Sequence, residues 1–332
     1  MNAVADAPIL LATLATNADT RNVIETAIGD AGRVVYLADV PANDRANALA
    51  SATVVLAHNT AQELGPGEAA LLASARLIQF VSAGLDYIPL ADLPPTLPVA
   101  ANAGAYAEPM AEHAVAMALA GMKRLFVEHA QMRAGAFNQF QRNRMVAGSV
   151  CGIVGFGGIG VATARLMRAL GACAHVINRS GFTDEAVDWI GTPKALDHLL
   201  RDADILVLSL PLTPATQGLI GARELSLMKQ DAILVNVARG EIVDETALYE
   251  HLVAHPDFTA CIDAWWIEPV RHGRFEMTYD FLSLPNVIGS PHNSASAVGW
   301  RDISVRRAAE NARRALVGEA PQHLVQPGDR MM

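Results

Sequence analysis

The chain has 332 residues, 52% of them hydrophobic and 18% charged, which is enough apolar material for two domains of ordinary size. Twenty-five Lys and Arg against 34 Asp and Glu leave a net charge of −9, a field that repels nucleic acid and anionic lipid and disfavours a nonspecific polyanion binder. Cys151, Cys173 and Cys261 stand apart, with neither a CxxC nor a Cys/His ligand spacing. That predicts reduced core thiols in a cytoplasmic protein and no metal site.

In chain order, the opening MNAVADAPILLATLA has an apolar run but no basic leader, and no stretch reaches the roughly 18 apolar residues of a membrane span. A soluble chain is expected. Short apolar runs then recur at 9–16, 34–39, 53–59, 77–84 and 97–104, separated by helix-like segments, a pattern that predicts a parallel α/β layer structure. In the first interval Thr20 suits an N-cap, and Gly29 or Gly32 suits a stop. The segment 108–132 has no Pro after Pro109, a residue that fits a first helical turn. Being apolar on more than one face, it is expected to form one long helix buried between domains or subunits.

After residue 149 a second series of apolar runs begins, VCGIVGFGG, CAHVIN, DILVLSLP, AILVNVA, ACIDAWW and NVIGSP, each beside a turn signal. This predicts a second parallel sheet, so the fold class is α/β with two doubly wound domains. The closing segment 298–319 reads as a helix, its arginines interrupted by Asp302, Glu310 and Glu319, as on an ordinary solvated face.

VGFGGIG places Gly155, Gly157 and Gly160 in G-x-G-x-x-G spacing between an apolar strand and a helix. The first glycine permits the tight turn, the second lets a pyrophosphate approach the backbone, and the third allows close packing, with the helix N-terminus attracting phosphate. The ribose-reading position, at the end of the next strand, holds Asn178 followed by Arg179 and Ser180. No acid stands there to accept from a ribose 2′-hydroxyl, and a guanidinium can pair with a 2′-phosphate, so NADP is the expected cofactor with NAD as the alternative.

Arg239, Asp263, Glu268 and His292 each follow an apolar run, and strand ends converge on the ligand crevice of an open parallel sheet. Reducing a ketone beside a carboxylate needs a guanidinium to hold the acid and polarise the carbonyl, and a proton donor poised near neutrality. Arg239 and His292 meet those needs, and a carboxylate such as Glu268 stabilises an imidazolium.

VGFGGIG, LPLTPATQGLI, LVNVARGEIVDE, DAWWIEP and LPNVIGSPHNSA resemble, in order and spacing, the signature blocks of the D-isomer-specific 2-hydroxyacid dehydrogenases. LIQFVSAGLDYI and NAGAYAEPMAEHA extend the resemblance into the first half. It implies a Rossmann dinucleotide-binding domain, 103–292, inserted into a flavodoxin-like substrate domain, 1–102 with 293–332, with hinges near 103 and 293. It also implies a catalytic triad of Arg239, Glu268 and His292. Phe156, Gly158, Ile159, Pro211, Thr216 and Ala238 would join the glycines at the cofactor, and Asp263 would contact the nicotinamide carboxamide. The backbone of Ser82, Ala83 and Gly84 would receive the substrate carboxylate, together with Arg239 and His292. The 108–132 helix would be the arm of a homodimer.

The expected reaction is NAD(P)H-dependent reduction of a small 2-oxo acid, glyoxylate or hydroxypyruvate, to the D-2-hydroxy acid. Formate dehydrogenases of similar fold carry Gln at the position of Glu268, and His58 and Asn59 stand where phosphoglycerate-type relatives commonly have Arg. Phosphite oxidation stays open. The rival from another class is a dinucleotide-sensing corepressor, since a transcriptional branch of the family keeps fold and triad.

Overall fold

A computed structural model describes residues 7–326. The chain divides into two compact units, one running to Ala105 and resuming at Ala297, the other spanning Tyr106–Ser296. Each is built on one parallel sheet.

In the first unit β1 (Ile9–Ala12), β2 (Arg33–Tyr36), β3 (Val54–Ala57), β4 (Leu77–Phe80) and β5 (Val99–Ala100) pair in the order β2-β1-β3-β4-β5. Side chains alternate across the sheet. Leu10, Leu56 and Leu77 face the helices Ala18–Ile28 and Trp300–Leu316, while Leu11, Val55, Ile78 and Phe80 pack on the opposite side. Both faces are covered, which is why these strands are continuous apolar runs rather than alternating ones. After the last helix the chain returns to the sheet edge, where the Ala101 N–H donates to His323 O at 3.1 Å and the Val325 N–H to Val99 O at 2.9 Å.

The helix Ala18–Ile28 is capped by Asn17, not by Thr20 as the sequence suggested. Asn17 has the extended backbone that an N-cap requires, and its side-chain oxygen accepts from the Thr20 N–H at 2.9 Å, while Thr20 itself is buried in the first turn. Gly29, at φ 50°, ends the helix as expected.

The second unit contains β6 (Val150–Val154), β7 (Cys173–Ile177), β8 (Trp189–Gly191), β9 (Ile205–Leu208), β10 (Ile233–Asn236), β11 (Thr259–Ile262) and β12 (Val287–Gly289), ordered β12-β11-β10-β9-β6-β7-β8. Strand order reverses between β6 and β9, the arrangement of a Rossmann sheet extended by one strand. β8 is a strand that the sequence reading did not mark; three residues are too few to show a period.

The expected single helix over 108–132 is two helices, Ala107–Met122 and Leu125–Arg133, separated by Arg124 in the left-handed region at φ 53°. Gly121 stands three residues before the break, but it is Arg124 that takes the left-handed conformation. The break coincides with a tertiary tie, in which Lys123 Nζ donates to Arg144 O at 2.6 Å and the Arg144 N–H to Met122 O at 3.1 Å. The first helix is largely buried against the sheet and the helix Gly158–Ala169, whereas the second buries no residue. Among the described residues no helix is long and apolar enough to cross a membrane.

Candidate active site

The glycine loop opens at the reversal of strand order. Gly155 has φ 96°, and a Cβ there would lie 2.7 Å from Ser209 O and 2.8 Å from Leu210 N, so no other residue fits between β6 and β9. Ser209 Oγ donates to Gly155 O at 2.8 Å and fixes the turn. Gly160 packs on the backbone of Gly155, whereas a Cβ on Gly157 would meet nothing within 4 Å. The crowding at the first and third glycines and the open face at the second fit a pyrophosphate over the N-terminus of Gly158–Ala169. Phe156 and Ile159 pack partly into the core. After β9, Thr216 Oγ1 donates to Pro211 O and accepts from the Thr213 N–H, both at 2.8 Å, which closes the Pro211–Thr216 turn on itself.

At the end of β7, Asn178 builds a tight loop. Its Oδ1 accepts from the Gly181 N–H at 2.7 Å and Ser180 Oγ at 3.1 Å, and its Nδ2 donates to Phe182 O at 2.8 Å. Arg179 and Ser180 are exposed on this loop.

The three residues expected to form a triad, Arg239, Glu268 and His292, follow three neighbouring strands, β10, β11 and β12. Asn236, the last residue of β10, accepts from the Ala238 N–H at 3.0 Å and donates to Arg239 O at 2.8 Å, so it shapes the turn that carries Arg239. Arg239 is half-buried and its NH1 donates to Ala238 O at 2.7 Å. Gly240 lies so close to the backbone of Trp265 and Trp266 that a side chain would not fit.

Glu268 is buried, and His292 Nδ1 donates to its two oxygens at 2.7 and 2.8 Å. The Trp265 N–H also donates to Glu268 Oε1 at 2.6 Å, and the Glu268 N–H donates to His272 Nδ1 at 3.0 Å. With Nδ1 committed to the carboxylate, Nε2 is the ring atom left for other chemistry.

His292 has φ 48°, a conformation rare for non-glycine residues. Asp263, at the end of β11, holds it there. Asp263 O accepts from the His292 N–H at 2.9 Å, and the carboxylate accepts from Ser290 Oγ at 2.5 Å and from the N–H groups of Asn293 and Ser294 at 3.1 and 3.3 Å. The side chain of Asp263 has no exposed surface.

The segment 270–284 belongs to this unit. Arg271 pairs with Glu241 at 2.6 Å, Thr278 with Glu245 at 2.8 Å, and Phe275 meets Trp265 edge to face. Trp265 is core, 4% exposed, with Nε1 donating to Ser290 O. Ser82, Ala83 and Gly84 lie in the first unit just beyond β4, half-buried, with Ser82 Oγ bonded to Tyr87 Oη at 2.8 Å.

Sequence reasoning did not single out Asn236, His272, Ser290 or His113. Asn236 and Ser290 lie inside quoted motifs and could have been found as polar residues at strand ends. His113 also lies inside a quoted motif, NAGAYAEPMAEHA, but within a helical segment rather than at a strand end, so strand-end polarity does not mark it.

The strand order and the glycine cradle at its reversal define a Rossmann dinucleotide-binding domain. The chain belongs to the D-isomer specific 2-hydroxyacid dehydrogenase family, whose NAD binding domain matches residues 115–294. It is similar to the glyoxylate reductase of Thermococcus gammatolerans, with 37% identity over 180 residues, 54% of this chain and 52% of that one. It is also similar to the glycerate dehydrogenase of Methylorubrum extorquens, with 32% identity over 226 residues, 65% and 67% of the two chains. The chain spans about half the length of the first curated relatives it matches. A solved structure from Pyrobaculum aerophilum, provisionally assigned as a formate dehydrogenase, shares the fold with a TM-score of 0.80 and 27% identity, covering 96% of this chain and 98% of that one.

Proposed function

We propose that the chain reduces a small 2-oxo acid of the glyoxylate or hydroxypyruvate type to the D-2-hydroxy acid, with NADPH preferred over NADH. The observation that carries this reading is the pairing of His292 Nδ1 with both oxygens of buried Glu268, beside Arg239 at the neighbouring strand end. Bound NAD(P)H supplies the hydride for C2. His292 gives the proton from Nε2 to the carbonyl oxygen. Glu268 orients the ring and stabilises its charged form. Arg239 grips the substrate carboxylate and polarises the ketone through its planar fork. A carboxylate rather than an amide at 268 favours oxo-acid reduction over formate oxidation.

The glycine cradle, with the turns at Pro211, Thr216 and Ala238, would hold the dinucleotide. For Asp263 the burial and the filled carboxylate favour a framework role over contact with the carboxamide. The preference for NADPH is supported by the Asn178 loop, which presents Arg179 and Ser180 with no acid at the ribose position. A second copy of the chain is the proposed cover for Leu125, Phe126, Met132, Phe137, Phe140 and Met145, which are 57–83% exposed in one stretch of sequence. The three unpaired cysteines support a cytoplasmic location.

The test is steady-state turnover on a panel of 2-oxo acids with both cofactors. Glyoxylate and hydroxypyruvate are expected to be reduced. Absence of turnover on the whole panel, with tight dinucleotide binding intact, contradicts the proposal and favours the sensor role.

A further inference from the structure

Asp263 makes most of the bonds that hold the strained backbone of His292, gripping the 290–294 loop by its own carbonyl and by both carboxylate oxygens, while Ile262 O and Trp265 Nε1 tie down Ser290. A buried carboxylate of this kind is costly unless its acceptor sites are filled. The shortest donor, at 2.5 Å, is Ser290 Oγ. Behind Ser290 stands His113, on the helix Ala107–Met122, with Nε2 3.0 Å from Ser290 Oγ and 3.7 Å from Asp263 Oδ1.

Proton counting gives this chain a direction. An ionised carboxylate only accepts, so the single hydroxyl proton of Ser290 points to Asp263. Ser290 Oγ then has only lone pairs to offer His113, and Nε2 of His113 must carry the hydrogen. The order is His113 Nε2–H to Ser290 Oγ–H to Asp263 to the loop of His292. Each bond polarises the next in a partly buried setting.

We infer that His113 is a positioning residue for His292. Its Nε2–H orients the Ser290 hydroxyl onto Asp263, and Asp263 so filled keeps the 290–294 loop in the geometry that aims the catalytic ring. The inference rests on the proposed reduction for its kinetic reading, but its geometry is testable without turnover.

The kinetic experiment compares His113→Leu, which removes the donor, with His113→Gln, whose amide nitrogen can occupy the place of Nε2. Because small misplacement of a catalytic group is costly, His113→Leu is expected to lower kcat roughly ten- to 100-fold with KM for NADPH and oxo acid nearly unchanged, and His113→Gln to recover most of the loss. The second arm uses the resting protein. Ring-nitrogen NMR, with His113 assigned from His113→Gln and His292 from His292→Ala, is expected to show His113 protonated on Nε2. The His292 ring signals should move in His113→Leu and return in His113→Gln. Should the Leu variant fail to fold, Ser290→Ala removes the middle link and is expected to give the same kcat loss and the same His292 shift. The inference is overturned if His113 carries its hydrogen on Nδ1, if the donor-less variant keeps parental kcat, or if His113→Gln is as impaired as His113→Leu. An inactive parent would defeat the proposed function while the NMR arm still decides the role of His113.

Discussion

Replacing Glu268 by Gln keeps the shape of the site and removes its charge. The amide oxygen can still accept from the Trp265 N–H, so the loop need not move, while His292 Nδ1 loses an anion held at 2.7 and 2.8 Å. With charge centres about 4 Å apart and an effective dielectric of about 20, that attraction is worth ~4 kcal/mol before the cost of desolvating both groups. About 1.4 kcal/mol is a factor of ten in rate, so if roughly 1 to 3 kcal/mol survives that cost, kcat/KM is expected to fall about ten- to 100-fold. The sign follows from the proposed mechanism, in which Glu268 holds the ring that gives the proton and balances its charge, so the variant is expected to be slower. The assay is kcat/KM for oxo-acid reduction in parent and variant, with NADPH binding measured alongside. Parental kcat/KM in the variant would refute the pairing as the support of the proton supply.

Arg239→Lys keeps the charge but loses the fork, and the loss of one charged hydrogen bond predicts a fall in kcat/KM of about ten- to 150-fold; near-parental activity would make Arg239 structural. Arg179→Ala should shrink the NADPH/NADH ratio of kcat/KM by a similar factor, about tenfold or more, and an unaltered ratio would sink the assignment of the 2′-phosphate site. His251 is held neutral down to about 4 by burial, with the His255 ring 4.3 Å away and no hydrogen-bond partner for Nε2. The unfolded chain therefore takes up this proton first as pH falls below about 6.5, and stability should decline toward pH 4 by at most ~3 kcal/mol, about half that after screening. Thermal melts of His251→Leu should show a flatter decline over that range, and a decline equal to the parent's would show that other groups cause it.

Much of the fold was legible because both sheets are covered on both faces, which turns each strand into an apolar run that needs no context to be seen. The glycine loop was legible for a related reason: Gly155 and Gly160 are demanded by backbone contacts that no Cβ survives. What escaped was decided by tertiary contact. Asn17 takes the cap because Thr20 is buried within the first turn. The helix after Ala107 breaks at Arg124, where Lys123 ties down a strand of chain that returns only at Arg144. In the site, strand-end polarity is the sequence signal behind the proposed roles of Arg239, Glu268 and His292, but the link from His113 to Ser290 spans 177 positions and leaves no pattern along the sequence.

The most direct test of the account is the rate of hydroxypyruvate reduction by the parent and by His292→Ala, with the configuration of the product determined. General acid catalysis is typically worth about 10² to 10⁴ in rate, so His292→Ala should lose at least 10² while still binding NADPH, and the parent should yield the D-hydroxy acid alone. A loss smaller than about fivefold would assign the proton to another group, and an L-configured or racemic product would contradict the proposed reaction.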